Sequence, residues 1–306
     1  MAVTTEHVPP QPAVTPPNPT PPEDLVATDE RPALPTRAVP RWRTAVSHIG
    51  LVLAFAVVIM AIAWAIVPSL FAPYDPLKSL PGGLQPPSSG HWFGTDAVGR
   101  DLYSRVVHGA QQSLFGALVA VVIGMAAGTF LGVVSGSFPG RIDDVIMRIV
   151  DVMLAIPGLL LALSIVIILG PGTTNVAIAV GVGSVAAFSR MVRSEVVQIR
   201  GTEFVEAATG SGGRTASVLW HHVLPNSTRP VAALAALQFG GAILALSTLG
   251  FLGYGVSPPT PEWGMLIADG RRMIGAAWWL TVLPGLVIVA VVLSANRISI
   301  WISSER

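Results

Sequence analysis

The chain has 306 residues, of which 52% are hydrophobic and 11% charged, with a mean hydropathy of +0.65 and a formal net charge of +1. Soluble globular proteins carry about 25% charged residues, so this chain holds more apolar material than one soluble core needs, and its total charge singles out no partner and gives no sign of nucleic acid. The absence of cysteine excludes disulfides and thiol chemistry.

Residues 1–40 are rich in Pro, Thr, Ala and Glu. They cannot build a core and are expected to form a disordered tail. A membrane-spanning helix needs about 20 apolar residues, and residues 49–67 supply the first, inside a segment bounded at 41–70. The following PSLFAPYDP has no small-x-small cleavage site, so the span reads as retained rather than as a cleaved signal. Residues 110–139, 152–189, 230–261 and 273–296 contain no Asp, Glu, Lys or Arg. The second of these is long enough for two spans joined by a hairpin turn at GPGTTN, residues 170–175. The expected fold is all-α and polytopic. Its six helices lie near 48–68, 113–135, 146–169, 175–191, 231–251 and 279–299, the last five forming a unit at 113–306.

Residues 71–112 form the longest connection. Pro and Gly punctuate its start, which is expected to be irregular. Its second part, HWFGTDAVGRDLYSRVVHGAQQSL, reads as a solvated helical lead-in with i,i+4 pairs Asp96–Arg100 and Asp101–Arg105. In the second span Gly124, Gly128, Gly132, Gly136 and Gly140 recur every fourth residue. Glycine weakens a helix, so this register predicts close packing against another helix. Gly136 and Gly140 alternatively belong to the turn that follows. The third span opens with Asp143, Asp144, Arg148 and Asp151, and Pro157–Gly158 is placed to bend it. Asp151 reads as the partner of an interfacial Arg rather than as a buried functional carboxylate.

Between the fourth and fifth spans lies the polar segment EFVEAATGSGGRTASVLWHHVLPN, residues 203–226, within a loop bounded at 192–229. Its first run continues a helix, TGSGG turns, and RTASVLWHHVL forms a second short helix that Pro225 stops. Asn226 and Ser227 would then cap the next span. Two readings stand: a helix–turn–helix that docks into a groove of a soluble partner, or a compact solvated loop. His221 and His222 have no third ligand nearby, so no metal site is expected. In the final connection Pro258, Pro259 and Pro261 fix an irregular turn, residues 263–273 form a short re-entrant or surface helix, and Trp278 and Trp279 anchor the interface.

With the N-terminus inside, thirteen Lys and Arg fall on the inner side and five on the outer. The positive-inside bias therefore puts both termini and the 203–226 segment in the cytoplasm. No phosphate-binding GxxxxGK[ST], HExxH or paired-cysteine motif is present. The chain is not expected to be an enzyme, and a protein of this kind moves something, receives a signal or scaffolds others.

The polar segment resembles the coupling-loop signature of binding-protein-dependent ABC importer permeases. It carries Glu206, Ala207 and Ala208, then Gly212, then Val223, Leu224 and Pro225, with His222 and Asn226 similar to the dipeptide/oligopeptide/nickel group. The lead-in matches that group in order at Phe93-Gly94-Thr95-Asp96, Gly99-Arg100-Asp101 and Ser104-Arg105. So do the runs GSFPGRIDDVIMRIVDVMLAIPGLLLAL and LGFLGYGVSPPTPEWGMLI, and together these cover roughly residues 85–285. The resemblance implies half of a transmembrane pathway in a bacterial inner or plasma membrane, paired with a homologous second permease. It implies ABC ATPase subunits, or one fused double ATPase, that bind ATP and Mg and grip this loop at Glu206 to Pro225. It also implies an extracytoplasmic binding protein or lipoprotein that delivers a peptide, and a pathway lined by the glycine face of the second span and by parts of the third and fifth helices. Nickel, metallophore and glutathione are alternative cargoes, and a non-transporting membrane scaffold is the alternative class. Two departures stand out: Thr209-Gly210-Ser211 replaces the usual Arg, small and large apolar residues, and the chain ends in SANRISIWISSER rather than the usual Gly-Asp and Arg-Asp.

Overall fold

The computed structural model describes residues 41–79, 81–202 and 224–304, with side chains described over 49–79, 81–202 and 228–304. The chain divides into two units, Met1–Thr44 and Ala45–Arg306, and apart from residues 41–44 at the start of the first helix the second holds everything described below. The elements are α1 (Arg41–Ile66), α2 (Pro68–Phe71), α3 (Leu102–Ser137), α4 (Arg141–Ala155), α5 (Gly158–Leu169), α6 (Thr173–Arg200), α7 (Leu224–Phe251), α8 (Trp263–Gly270), a 3-10 turn at Arg271–Met273, and α9 (Trp279–Ser304). Among the described residues the rest of the regular structure is a single bridge between Thr95 and Asp101.

Five helices, α1, α3, α6, α7 and α9, are long and apolar enough to cross a bilayer. The expected third span is not one straight helix. It is the pair α4 and α5, bent by 94°. Pro157 has no N–H to continue the ladder, and Ile156 before it takes extended backbone (φ −88°, ψ 128°). The two halves also differ in kind: α4 carries Arg141, Asp143, Asp144, Arg148 and Asp151 along one side, whereas α5 (GLLLALSIVIIL) is wholly uncharged.

Other boundaries differ from the expected ones for local reasons. The second span starts at Leu102 rather than near 113, because Asp101 caps it with a carboxylate that accepts the Ser104 N–H at 2.8 Å. At 1.5 Å per residue α3 is about 54 Å long, more than the roughly 30 Å hydrocarbon core needs, so one end of it projects beyond the membrane. The fourth span continues to Arg200, and α7 begins at Leu224. Pro225 therefore lies in the first turn of the fifth span, where its missing N–H costs nothing, instead of ending the run before it. Asn226 and Ser227 lie inside that turn rather than capping it.

α3 and α6 run parallel in a shared register. Cβ atoms built at Gly124, Gly128, Gly132 and Gly136 would come within 3 Å of Ser184, Phe188, Ser189 and Val192, and Val196 respectively. The glycine face is thus a helix–helix seam, filled by α6. α7 and α9 run antiparallel, with Ser299 Oγ donating to Ala233 O at 2.6 Å. Val106, Ala117, Phe188, Ile243, Leu246 and Trp263 form the buried centre. Leu53, Phe130, Ile168 and Leu293 point outward, each more than half exposed, as lipid-facing side chains do.

Candidate functional site

The lead-in is a buried bracket at one end of the helix bundle rather than a solvated helix. Asp96 is 8% exposed, Asp101 1% and Arg105 2%. Asp96 Oδ1 accepts the N–H groups of Val98 and Arg100, and its Oδ2 accepts Arg100 Nε at 2.7 Å. The Asp96–Arg100 pair forms as expected. The Asp101–Arg105 pair does not, because Asp101 is already committed to Ser104 N, Ser104 Oγ and His91 Nδ1. Arg105 turns instead toward Asp96 at 3.6 Å and donates to Pro76 O and Pro259 O, joining three separate stretches of chain. Gly94, at φ +74°, leaves room for Trp279, whose Nε1 donates to Thr95 O at 3.4 Å. Trp279 is 7% exposed and belongs to this bracket rather than to the lipid interface, while Trp278 beside it is 51% exposed. Gly99 closes the turn between Asp96 and Arg100 at φ +86°.

The short helix α8 seals the bracket from above. Trp263 is fully buried over Gly109, its Nε1 donating to Val106 O at 2.9 Å and its backbone N–H to Ser113 Oγ at 3.2 Å. Glu262 before it is 2% exposed and accepts the Val256 N–H at 3.1 Å. Burial pushes the Glu262 carboxyl above the usual carboxylate range, against the pull of that hydrogen bond. Asp269 is also raised by burial, opposed by the nearby Arg105 and Arg100.

At the other end charges clasp α4 to α6. Arg193 holds Asp143 through Nε and Nη2, both at 2.6 Å, and Ser135 Oγ also donates to Asp143. Arg190 pairs with Asp151, the interfacial Arg partner that the sequence suggested for it. Arg200 Nη1 donates to Gly136 O and Ser137 O at 2.8 and 2.7 Å, satisfying the last carbonyls of α3. Beside this clasp a cavity of about 620 Å³ opens between α6, α7 and α9, lined by Glu195, Arg229, Ala233 and Ser299 among others.

A third feature was not singled out in the sequence. A recess of about 230 Å³ lies between α3, α5, α6 and α7, lined by Gly158, Gly183, Ser184, Gln238, Gly241 and small apolar neighbours. Gln238 is the lone amide in the charge-free stretch 230–261, which is the signal that would have found it.

Of the residues expected to matter, the structure gathers Gly94, Thr95, Asp96, Gly99, Arg100 and Asp101 at this bracket. It lines up Gly124, Gly128, Gly132 and Gly136 along the seam, and puts Pro157 at the helix break. Glu206, Ala207, Ala208, Gly212 and His222 lie outside the described residues, as does the Thr209-Gly210-Ser211 departure; Leu224 and Pro225 are described in backbone alone. Among the described residues no cluster of three metal-ligating side chains occurs.

This architecture, five crossing helices and a broken sixth with a polar segment between the fourth and fifth crossings, defines a multi-pass membrane protein. Residues 128–303 match the family described as binding-protein-dependent transport system inner membrane component, and the chain belongs to that family. The dipeptide transport system permease protein DppC of Alkalihalophilus pseudofirmus is 41% identical over 304 residues, covering 96% of this chain and 95% of that one. The di/tripeptide permease DppC of Pseudomonas aeruginosa is 40% identical, covering 83% and 86%. The glutathione permease GsiD of Pectobacterium atrosepticum is 35% identical, covering 83% and 85%. Among solved structures, a chain of the inward-facing MetNI methionine ABC transporter superposes with a TM-score of 0.53 at 18% identity, covering 66% of this chain and 97% of that one. That likeness concerns the fold alone.

Proposed function

We propose that this chain is the permease subunit of an ATP-driven importer of di- or oligopeptides in a bacterial inner or plasma membrane. The observation that carries this reading is the near end-to-end similarity to DppC permeases. Half of the pathway comes from this chain and half from a homologous second permease. An extracytoplasmic binding protein or lipoprotein delivers the peptide at the outer end. ATP and Mg bind on separate or fused ABC ATPase subunits, and this chain carries no cofactor of its own. Both termini are cytoplasmic, in keeping with the excess of Arg at the Asp143–Arg193 end. Glu206, Ala207, Ala208, Gly212, His222, Leu224 and Pro225 form the ATPase contact, with Glu206 accepting hydrogen bonds at the dock and Gly212 permitting the turn.

Two measurements test this. Uptake of labelled di- and oligopeptides is followed in cells that lack this gene and in cells with it restored, beside glutathione and nickel. Restoration of peptide uptake is expected; unchanged peptide uptake with altered glutathione or nickel uptake would overturn the cargo. For the coupling contact, Glu206→Ala in the reconstituted complex should lower both transport and the ATPase activity stimulated by loaded binding protein. If both stay normal, Glu206 is not part of the dock. The second reading, glutathione as cargo, is favoured by the GsiD similarity and is decided by the same uptake comparison.

A further inference from the structure

Two sets of helical glycines in this chain contrast. At the α3–α6 seam an added Cβ would strike a neighbour, so packing accounts for glycine there. Around the recess it does not. Nothing lies within 4 Å of a Cβ built at Gly158 or Gly241, and one at Gly183 would meet only Gly158 O at 3.9 Å. These three glycines, from three different helices, leave space open instead of closing it.

The recess lies at membrane depth. α5 has twelve residues, so its first turn stands about 18 Å below its outer end, inside a hydrocarbon core about 30 Å thick. Polar groups there have to be satisfied by protein or by water. Gln238 meets neither condition from within the chain, since its amide makes no hydrogen bond among the described residues. At the adjoining helix break no side chain caps α5, and the Gly158 and Leu159 N–H groups have no partner among the described residues. An amide facing hydrocarbon in this way costs several kcal/mol, so the recess is a wet or ligand-bearing wall rather than a lipid-facing one. At about 30 Å³ per water, its volume of about 230 Å³ holds several waters or a small side chain.

The chemistry of the wall narrows the ligand. No residue lining the recess is charged, and Ser184 Oγ is turned away into a bond with Gly181 O at 2.8 Å. What is left is one primary amide, which donates and accepts at once. That is the complement of a peptide group, and it is indifferent to side-chain charge. Resting on the importer reading, we propose that this recess receives the peptide in transit and that the Gln238 amide pairs with its backbone, making Gln238 a specificity-determining residue of the pathway.

The test uses the full importer in cells, with trialanine and its central N-methyl analogue as labelled probes. Losing one hydrogen bond is worth about three- to tenfold. Gln238→Leu should therefore raise the KM for trialanine by about that factor while moving the analogue little, so that the discrimination shown by the unaltered chain shrinks. Binding-protein preference is common to both chains and cancels in the ratio. Gly241→Leu, whose added Cβ meets nothing within 4 Å and whose side chain takes up recess space, should lower the maximal rate of uptake, with co-purification of the partner subunits confirming assembly. If the unaltered chain restores no peptide uptake, the importer reading falls and this inference with it. If it restores uptake and both variants match it in KM, discrimination and rate, the recess is not on the peptide's path and the inference alone is overturned.

Discussion

Arg193 on α6 holds Asp143 on α4 through two parallel hydrogen bonds of 2.6 Å each. Asp143 opens the amphipathic half of the broken span, and its other donor, Ser135, comes from the end of α3. One carboxylate therefore ties three helices together at the turn between α3 and α4. Two-point geometry of this kind is the case in which an ion pair outweighs its entropic cost. Asp143→Asn and Arg193→Gln, singly and together, form a double-mutant cycle read by thermal unfolding in detergent. A coupling energy of about 0.5–3 kcal/mol is expected. Additive single effects would show that the Asp143–Arg193 pair adds nothing to the hold on α4.

The seam between α3 and α6 makes a sharper demand. A Cβ at Gly128 would lie 2.4 Å from Phe188 Cβ and 2.7 Å from Val185 O, and the second of these is backbone that cannot swing aside. Gly128→Ala should cost about 1–3 kcal/mol through overpacking. Gly285→Ala on α9 is the control, since a Cβ there meets nothing within 4 Å and alanine favours a helix. It should be neutral or slightly stabilising. Equal melting temperatures for the two variants would refute the seam as a close contact.

How far the sequence carried these features depended on the range of the interaction. The four-residue glycine period announced a helix contact, because that period belongs to one helix and needs no knowledge of the partner. Pro157 announced a bend for the same local reason, though not its size, since 94° reflects what α4 and α5 each pack against. The Asp101–Arg105 spacing was misleading. Local i,i+4 logic paired them, but Asp101 capped its helix and Arg105 reached Pro76 O and Pro259 O, the latter 154 residues away. Charge on a sequence looks solvated until tertiary structure covers it. Gln238 was passed over because a lone amide acquires meaning only when neighbouring helices leave it without a partner.

Asp101 offers a direct check on the bracket. It starts α3 through Ser104 N and Oγ, and it orients His91 at 2.9 Å. Asp101→Ala removes the cap and leaves two buried donors unmatched, so a loss of about 1–2 kcal/mol is expected. Asp101→Asn retains an acceptor for Ser104 and should recover most of it. Thermal unfolding of both variants distinguishes them. If Asp101→Asn is as damaging as Asp101→Ala, the negative charge rather than the cap geometry is what α3 requires.

Glu262 gives the bracket a dependence on pH. It is 2% exposed, with the Val256 N–H as its hydrogen-bond donor at 3.1 Å, and burial raises its pKa. The folded protein therefore keeps this proton at pH values where the unfolded chain, titrating near 4.3, has released it. Stability from the neutral carboxyl is complete below that unfolded pKa and is lost as pH rises through the folded one. Glu262→Gln keeps an oxygen for Val256 and cannot titrate. The melting temperature of the unaltered chain should thus fall relative to Glu262→Gln as pH rises above that unfolded value, and Asp269, present in both chains, contributes equally to each. Parallel curves over that range would mean that Glu262 meets water or a cation in the folded protein and carries its charge at no cost.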